Sequence, residues 1–584
     1  MTDKIKFETG SSLLGATWYT ANVDGFLENE ISVNHSLPIE IASILAGKNI
    51  PVSDVQDFLN PSIKNEMIDP LKFKDMDLMI DTLSNAITNN KTIAIFGDYD
   101  VDGATSTAIF IKYLSALGIN VLYHIPSREE GYGANIDSFK SLKQQGADLI
   151  VCVDCGTTSF DVMEQAKELN IAVCVIDHHI AEAKLPDVKA LVNPNRLDDE
   201  SGMGYICAVG VCFYVLVGLN RHLRDMGHFE KTKEPNLLNW LDLVGLGTVC
   251  DVMPLTGINR AFVNQGLKVI TSRTNTGLKH LSDVAGIDSK IKSYHLGFIL
   301  GPRLNAGGRM GDSGLATKIL LSNDDTIANQ LAGKANDLNK QRQSEEEQIL
   351  FDINNQIEID GDYGNFICVF GNDWNEGIVG ICASRLKEKH NKPAIVISFK
   401  DGMGKGSARS VGNVDIGTIL VKAMQMGIVE KGGGHKMAGG LSIAKDKKDE
   451  FIEYLKDEIT VDVETKQLVA QKVTSVKSLS IDLCKKLSKL EPFGVGNSEP
   501  KFILKDVLIT SAKVINDKHV SFYLKDYISG DGIKAICFNC FDSNLGKGVV
   551  DNTNSKTVSV LGKVKIDTWN GKENLSFIVE DVCV

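Results

Sequence analysis

The sequence predicts an α/β protein in which parallel-sheet domains come first and a small β-barrel follows. Apolar runs alternate with amphipathic stretches in the first part of the chain, which is the rhythm of βαβ units. Five short strand-like runs lie close together near the carboxyl terminus, as in a barrel. Because the chain has 584 residues, more than a single core usually serves, we expect several domains.

The first α/β domain is expected over residues 71–325. Its elements are predicted to alternate between strands and a helix. The predicted strands are Thr92 to Phe96, Val121 to Ile125, Leu149 to Val153 and Ala172 to Ile176. A helix is predicted at Ala104 to Leu117, between the first two strands. The carboxyl ends of parallel strands form the ligand crevice of such a sheet. Functional residues are therefore expected directly after these runs.

The rest of the chain divides into four segments. Residues 1–70 form an N-terminal segment to which the sequence assigns no role, and residues 326–357 predict a long connecting helix, since they lack proline and carry apolar residues at helical spacing. Residues 358–464 predict a second α/β domain, with strands at Phe366 to Phe370 and Ala394 to Phe399.

Residues 465–584 predict the barrel, with the OB-fold as the leading candidate. Its expected strands are Phe502 to Ile509, His519 to Leu524, Ile533 to Phe538, Thr557 to Val564 and Asn574 to Val579. Aromatic residues and lysines interleave there, as in OB-folds that bind unpaired strands. They are Phe522, Tyr523, Tyr527, Phe538 and Trp569 with Lys525, Lys563, Lys565 and Lys572. Most of the aromatic residues are expected in the core, with one or two as stacking platforms.

Composition predicts a soluble cytoplasmic protein with no membrane association. The first residues lack the apolar stretch of a signal peptide, and no later run is long enough to span a bilayer. The twelve cysteines lie mostly in apolar runs and are expected to be reduced core residues, and the two CxxC pairs lack further zinc ligands nearby. A net charge of −13 argues against nonspecific coating of nucleic acid, although it permits a local basic groove.

Three aspartates follow the first predicted strand at alternate positions. Asp98, Asp100 and Asp102 lie where this strand meets a helix, and Gly103 would let the backbone turn there. Closely spaced carboxylates repel one another unless a cation lies among them, and oxygen ligands suit Mg²⁺ or Mn²⁺. A solvated acidic turn is the alternative for this cluster taken alone.

Three further clusters favour a metal site. Asp154 ends the next strand, the run Asp177 to His179 ends the strand after that, and Asp251 follows another apolar stretch. Together the clusters offer carboxylate and imidazole ligands, an orienting partner and an acid. Such a set suits two metal ions roughly 3.5 to 4 Å apart, the arrangement that activates water and stabilises the leaving oxygen in phosphoryl hydrolysis.

The four clusters, in this order, resemble the four motifs of the DHH phosphoesterase superfamily. The resemblance implies a pair of Mn²⁺ or Mg²⁺ ions, with Asp154 bridging them and Asp98 as a less regular ligand, because some relatives use a histidine from a different spacing. It also implies that His179 faces the scissile phosphate and that Asp177 orients its neighbours, as the catalytic residues. The implied ligands are Asp98, Asp100, Asp102, Asp154, His178 and Asp251.

Other segments resemble the RecJ branch of this superfamily over about residues 70 to 500. They are Pro126 to Gly133, Gly301 to Met310, Gly377 to Ile381, Gly406 to Ser410 and Pro492 to Asn497. The branch implies a single-stranded-DNA-specific exonuclease of DNA repair and recombination that works from 5′ to 3′ and releases nucleotides. It also implies a monomer that works beside a helicase and a single-strand-binding protein. A DHH-type phosphodiesterase of small or cyclic nucleotides and a noncatalytic replication scaffold are the alternatives.

Seven residues are expected to contact the substrate. Three arginines lie beside glycine or proline in segments with little helical or strand character, where binding residues tend to be placed, although salt bridges are the alternative. The other four lie in the second α/β domain, where a hydroxyl, a planar donor and a glycine run suit a phosphate, and in relatives a Gly-Gly-His segment there contacts substrate. A plain turn at the glycines, and a capping or surface role for the serine and arginine, are the alternatives. The seven are Arg128, Arg303, Arg309, Ser407, Arg409, Gly433 and His435.

Two positions depart from the family pattern, and the first, Ala438-Gly439 where a double alanine is more usual, should alter packing more than chemistry. Relatives commonly show Trp-His before the segment that begins at Gly377, whereas this chain has Trp374-Asn375. The role of a histidine there therefore cannot be transferred, although Asn375 retains hydrogen-bonding groups for a phosphate or a sugar.

Overall fold

The computed structural model describes residues 4–8, 10–128, 130–131, 133–230, 232–460, 465–569 and 572–584, without the side chains of residues 568, 569 and 572. The chain divides into two units. The first comprises residues 1–65, 463–493 and 497–584, and the second comprises residues 66–462 and 494–496. The N-terminal segment, to which the sequence assigned no role, is therefore part of the unit that contains the barrel.

The second unit contains a five-stranded sheet in which every neighbouring pair is parallel. From edge to edge its strands are Val121–His124, Ile93–Phe96, Leu149–Val153, Val173–Ile176 and Ala190–Val192. The four predicted strands are confirmed. The fifth was missed, because a run of only three residues carries too little periodicity to predict a strand.

The order of this sheet locates its crevice. The chain passes from Ile93–Phe96 to the strand on one side, Val121–His124, and then to the strand on the other side, Leu149–Val153. Ligands of open parallel sheets bind where the direction of winding reverses in this way. The crevice is therefore expected at the carboxyl ends of Ile93–Phe96 and Leu149–Val153.

Helices surround this sheet and lead to the next domain. The predicted helix is confirmed at Val101–Ala116, and the long connecting helix at Asp325–Ile357. Within the second unit, the other described helices of at least seven residues before the connecting helix are Met76–Thr88, Ile136–Gln144, Phe160–Glu168, Ala208–Asp225, Leu241–Cys250, Gly257–Thr271, Thr276–Val284, Gly301–Arg309 and Leu315–Leu321.

A second five-stranded sheet follows in the same unit. From edge to edge its strands are Lys431–His435, Ala438–Ala444, Met403–Arg409, Ala394–Lys400 and Ile367–Asn372. Only the last two pair in parallel, and both were predicted. The helices of this domain are Glu376–His390, Ile416–Gln425 and Lys448–Glu458.

The first unit contains the barrel. All five predicted strands are confirmed, and the barrel closes where Phe502–Ile515 pairs with Thr557–Trp569. Its strands are Phe502–Ile515, His519–Asp526, Gly532–Cys537, Lys572–Cys583 and Thr557–Trp569, with Lys472–Thr474 added at one edge. The expectation that most of the five aromatic residues lie in the core is wrong for those whose side chains are described: Phe522 is buried, but Tyr523, Tyr527 and Phe538 are exposed, because their side chains point away from the barrel interior. The side chains of Trp569 and Lys572 lie outside the described part.

The N-terminal residues share the core of this unit. Ile44 and Leu45 pack in one hydrophobic cluster with barrel residues such as Phe502, and the Trp18 Nε1–H donates to Asp581 Oδ2 at 2.9 Å. The N-terminal residues supply two strands of a three-stranded sheet and three of the five longer helices described in this unit. The strands are Lys4–Lys6, Thr17–Ala21 and Gln467–Ala470, and the helices are Gly25–His35, Ile39–Gly47, Val55–Leu59, Ile481–Leu487 and Asn544–Asp551.

Two expectations from composition can be compared with the structure. All cysteines carry free thiols and all but Cys250 are buried, as predicted for reduced core residues. Among the helices that the structure describes, none has the length and apolar character needed to cross a bilayer.

Candidate metal centre

Asp98, Asp100 and Asp102 occupy the turn after the strand Ile93–Phe96. Gly103 is required there, since a Cβ at this position would lie 2.6 Å from the backbone nitrogen of Asp98. Asp100 caps the helix Val101–Ala116, because its Oδ1 accepts from the N–H of Gly103 at 3.0 Å. The sequence therefore fixes three carboxylates at the point where the strand meets the helix.

Asp102 is buried at the start of a second helix. Its two carboxylate oxygens accept from the N–H groups of Ala208 at 2.7 Å and Val209 at 3.0 Å, in the first turn of Ala208–Asp225. A helix N-terminus stabilises a negative charge in this position. Gly247 allows the helix Leu241–Cys250 to pack closely against this carboxylate, because a Cβ at that position would lie 2.9 Å from Asp102 Oδ1.

Asp154 follows the strand Leu149–Val153 in the left-handed region, with φ +61°. Aspartate tolerates this region better than most residues do. Its Oδ1 lies 3.4 Å from His178 Nε2 and, although buried, has no hydrogen-bond partner among the described residues. The backbone therefore adopts an uncommon conformation at the position that presents this carboxylate to the imidazole.

Asp177 holds both histidines that follow it. Its Oδ1 accepts from the backbone N–H of His178 at 2.8 Å and from Nδ1 of His179 at 2.7 Å, while its Oδ2 accepts from the N–H of Thr157 at 3.0 Å. This pattern keeps a proton on Nδ1 of His179 and fixes the orientation of its ring. Asp177 thus contacts its neighbours in the manner expected of an orienting residue.

The predicted ligands converge on one place. Nε2 of His178 lies 3.6 Å from Asp251 Oδ2 and 3.9 Å from Asp102 Oδ2. Three sets of residues each place one ligand atom per residue within 4.8 Å of one another, and Asp154 and His178 each belong to two of the sets. The sets are Asp98, Asp100 and Asp154; Asp102, His178 and Asp251; and Asp154, His178 and His179. None of them contains a cysteine.

The electrostatics of the cluster fit divalent cations. Burial, followed by repulsion from neighbouring carboxylates, raises the pKa of Asp98 and of Asp102 to about 7 and that of Asp251 to about 8. Oδ1 of Asp98 and Oδ2 of Asp251 are also buried without hydrogen-bond partners among the described residues. Because carboxylate oxygens and imidazole nitrogen suit Mg²⁺ and Mn²⁺, the donor set fits the predicted metal pair.

The metal-free protein should become less stable as pH rises from about 6.5 to about 8. Folded Asp98, Asp102 and Asp251 still bind protons in this range, whereas unfolded aspartates with a pKa near 3.9 have released theirs, so the free energy of unfolding falls with pH. His179 acts in the same direction. Burial lowers its pKa, but the hydrogen bond and charge of Asp177 outweigh burial and raise it to about 9. The low pKa of His178, about 4, affects only more acidic solutions.

Urea unfolding across this pH range, with chelator and with saturating Mn²⁺, measures the effect. Mn²⁺ should flatten the dependence, since bound cations take the place of the protons. Stability of the metal-free protein that rises with pH would contradict the assignment of these carboxyls to one repelling cluster.

Arg128 lies beside the aspartate turn. Its Nε–H donates to the carbonyl of Gly308 at 2.8 Å, and its guanidinium lies 4.5 Å from the centre of the Tyr99 ring. The alternative of a salt bridge to Glu130 is not what the structure shows, because Glu130 pairs with His124 at 2.9 Å. Glu129 and Tyr132 of the same segment lie outside the described residues.

Arg303 and Arg309 line a cleft of about 530 Å³ in the second unit. The expectation of little regular structure is wrong here, since both belong to the helix Gly301–Arg309. Pro302 lies in the first turn of this helix, which directly follows the helical residues Leu296–Leu300. Arg309 donates to the carbonyl of Gly377 at 2.8 Å and Arg303 to the carbonyl of Ile299 at 2.7 Å, so neither contact neutralises the guanidinium charge.

The four candidates of the second α/β domain lie in two rows across neighbouring strands. In the first row, Ser407 pairs with Gly440, and Gly440 pairs with Gly433 on its other side. In the second row, Ala438 pairs with Arg409 on one side and with His435 on the other. Paired residues, and residues two apart on a strand, share one face of a sheet. All four therefore lie on one face, where Arg409 donates to Ser407 Oγ at 2.8 Å.

Sequence reasoning missed the residues that hold the histidine loop. Asn193 Nδ2 donates to the carbonyl of His179 at 2.8 Å and to Thr157 Oγ1 at 2.9 Å, and Asn195 Nδ2 donates to the carbonyl of His178 at 2.5 Å. The run Asn193-Pro194-Asn195 directly after an apolar triplet was the signal, at the carboxyl end of the unpredicted strand. These asparagines fix the backbone on which both imidazoles are carried.

Asn375, the second departure from the family pattern, has a structural role. Its Oδ1 accepts from the N–H of Gly377 at 2.9 Å and so caps the helix Glu376–His390, while its Nδ2 donates to Glu345 Oε2 at 3.0 Å. Asparagine is among the best helix caps. Both the oxygen and the nitrogen of the Asn375 side-chain amide are therefore hydrogen-bonded within the protein.

Comparisons with known proteins agree with this architecture. The model of the DHH family, N-terminal domain, matches residues 92–248, the DHHA1 domain model matches residues 363–460, and the RecJ OB domain model matches residues 472–581. A single-stranded-DNA-specific exonuclease RecJ of Dickeya dadantii is 32% identical over 518 residues, covering 86% of this chain and 89% of the relative. Its counterpart of the same name from Escherichia coli is 31% identical over 572 residues, covering 95% of this chain and 98% of the relative.

A solved structure of RecJ in complex with Mn²⁺ from Thermus thermophilus has a TM-score of 0.82 and 25% identity, and the match covers 97% of this chain and 79% of that chain. A parallel sheet whose strand ends gather aspartates and a histidine pair defines a metal-dependent phosphoesterase of the DHH type. Identity above 30% over most of each relative makes the assignment more specific. The chain belongs to the RecJ family.

Proposed function

We propose that this chain is a single-stranded-DNA-specific exonuclease that works from 5′ to 3′ and releases nucleotides by metal-dependent hydrolysis. The observation that carries the proposal is the convergence of seven aspartate and histidine side chains into three ligand sets. Six of them follow strands of the parallel sheet, and Asp251 follows the helix Leu241–Cys250. The RecJ relatives, which are named as single-stranded-DNA-specific exonucleases, support the choice of substrate.

The chain's own residues divide the work. Asp98, Asp100, Asp102, Asp154, His178 and Asp251 would hold two Mn²⁺ or Mg²⁺ ions, which supply Lewis acidity and lower the pKa of a bound water. Asp177 holds His179 through Nδ1, so that Nε2 is the nitrogen that would face the scissile phosphate and hold or release a proton there. Asp98, Asp102 and Asp154 are buried, which strengthens the charge interactions that they make.

The face formed by Ser407, Arg409, Gly433 and His435 is proposed to bind the 5′-terminal phosphate, with Arg128 contributing from the other domain. The Arg409 guanidinium is hydrogen-bonded to the Ser407 hydroxyl, so the two groups hold several donors in fixed positions, as phosphate recognition needs. Gly380 keeps the approach open, because a Cβ there would lie 3.1 Å from Ser407 Oγ and 3.2 Å from the Arg409 guanidinium.

Arg409→Ala should weaken binding of 5′-phosphorylated single strands by about ten-fold to a hundred-fold, the worth of hydrogen bonds to a charged group. Strands with a 5′-hydroxyl should lose little. Arg224→Ala, which removes an exposed arginine paired with Glu234, is the matched control and should change neither. Equal losses on both kinds of end would show that Arg409 contacts an internal phosphate or supports the fold.

The general test offers purified protein with Mn²⁺ a set of possible substrates: single strands labelled at either end, duplex DNA, pyrophosphate and cyclic dinucleotides. The proposal expects release of label first from the 5′ end of single strands. Faster turnover of a cyclic dinucleotide would favour a small-molecule phosphodiesterase instead.

The barrel is proposed to grip the strand through exposed aromatic residues such as Tyr523, Tyr527 and Phe538, with Lys525 nearby in sequence. Lys563 is less available, since it pairs with Glu499 and Glu580. A cytoplasmic monomer that works beside a helicase and a single-strand-binding protein completes the proposal, and the family resemblance supports it.

A further inference from the structure

The cleft of the second unit contains more positive charge than its two predicted arginines supply. Arg342 of the connecting helix and Arg385 of the next helix also line it, and with Arg303 and Arg309 they outnumber its two glutamates, Glu346 and Glu347. In a chain of net charge −13 this is a local excess of positive charge. Such an excess attracts a phosphodiester backbone.

These arginines are held in place by the protein. Glu346 accepts from both Arg342 and, at 3.1 Å, the Nε of Arg385, so one carboxylate orients two guanidinium groups. The cleft begins one residue from a candidate metal ligand, because Cys250, which lines it, directly precedes Asp251. A strand whose end lies among the ligands would therefore pass these arginines.

The backbone beside the cleft departs from α-helical geometry. The Gly301 N–H donates to the carbonyl of Leu296, five residues earlier, so residues 296–300 form a turn of π-helix. Pro302 has no N–H to donate to the carbonyl of Phe298, which accounts for the interruption of the regular pattern. Turns of this kind occur frequently at functional sites.

Two aromatic side chains are exposed here, one from the π-helical turn and one from the short helix Ser293–His295 before it. Tyr294 and Phe298 are 59% and 69% exposed, and their rings stack with centroids 5.2 Å apart at an angle of 24°. Phe298 lines the cleft, next in sequence to Ile299, whose carbonyl accepts from Arg303 at 2.7 Å. The pair leaves apolar ring surface exposed to water, and a flat apolar ligand stacked on it would bury that surface.

We propose that Phe298, backed by Tyr294, is a stacking platform for one unpaired base of the strand whose phosphates lie against the cleft arginines. The inference rests on the proposed function and adds a base contact to it. Aromatic faces accept any base, whereas the paired bases of a duplex offer no free face, so the platform would favour single strands without reading their sequence.

The test is a double-mutant cycle between the protein and the strand. Binding is measured in chelator, so that no hydrolysis occurs, with a homopolymer oligonucleotide in which one abasic site is moved stepwise from the 5′ end. Phe298→Ala should raise Kd for the intact strand by about five-fold to a hundred-fold, the loss expected of one base–aromatic stack. One abasic position should do the same to the unsubstituted protein, and the two changes together should cost little more than either.

Phe351→Ala is the matched control, because Phe351 is 62% exposed on the connecting helix of the same unit and does not line the cleft. It should leave Kd unchanged. The inference is overturned if Phe298→Ala leaves Kd unchanged, or if its effect adds to that of every abasic position. In either case 5′-to-3′ cleavage by the unsubstituted protein would still uphold the proposed function, whereas absence of single-strand cleavage would refute that function itself.

Discussion

Asp154→Asn is expected to lower kcat on single-stranded DNA by about a thousand-fold or more. Asp154 belongs to two of the three ligand sets, so its loss disturbs both metal positions, and a metal site contributes several kcal/mol to the transition state. Asparagine is chosen over alanine because it tolerates the left-handed backbone, φ +61°, that this position adopts.

The same variant should fold at least as stably as the parent protein when no metal is present. Burial and the neighbouring carboxylates hold the pKa of Asp154 well above its usual range, so a neutral side chain removes repulsion. Thermal unfolding with and without Mn²⁺ measures both effects: Tm in chelator should not fall, and the increase that Mn²⁺ gives the parent should shrink.

Asp242→Asn provides the matched control. Asp242 is also buried, has a pKa raised to about 6 by burial, and belongs to none of the ligand sets found among the described residues. It should retain activity and the Mn²⁺ response. Full activity of Asp154→Asn, or equal loss in both variants, would refute the assignment of Asp154 as a shared ligand.

Asp177→Asn is expected to lower kcat by about a hundred-fold to ten-thousand-fold, the range of a lost general acid–base group. The neutral amide no longer stabilises a protonated His179, and it cannot accept from Nδ1 of His179, the two backbone N–H groups and Thr157 together. The effect acts through His179, which makes Asp177 a positioning residue.

A pH profile of kcat distinguishes this role from a purely structural one. The charge of Asp177 raises the pKa of His179. Removing that charge should therefore shift to lower pH the part of the kcat profile that follows the titration of His179. Mn²⁺ binding should persist, because Asp177 is in none of the ligand sets. A uniform loss of activity with an unshifted profile would mean that Asp177 only maintains the fold of the loop.

Much of the site was predictable because its residues are local in sequence. Asp98, Asp154 and Asp177 each follow a strongly apolar strand, and the carboxyl ends of neighbouring parallel strands must meet at one edge. The asparagines at 193 and 195 were missed because their strand is too short to show a pattern. The helix that carries Arg303 and Arg309 was missed because its glycines and proline weaken helix propensity, which tertiary packing overrides.

The sequence by itself determined the order of domains, the parallel sheet with its acidic strand ends, the closed barrel and the family. Periodicity and motif spacing are local properties, so one chain suffices to show them. Only the tertiary structure decided which distant groups meet: the N-terminus of Ala208–Asp225 on Asp102, Gly433 in the same row as Ser407, and Phe298 at the arginine-lined cleft. Such contacts depend on packing between elements far apart in the chain, and no local pattern records them.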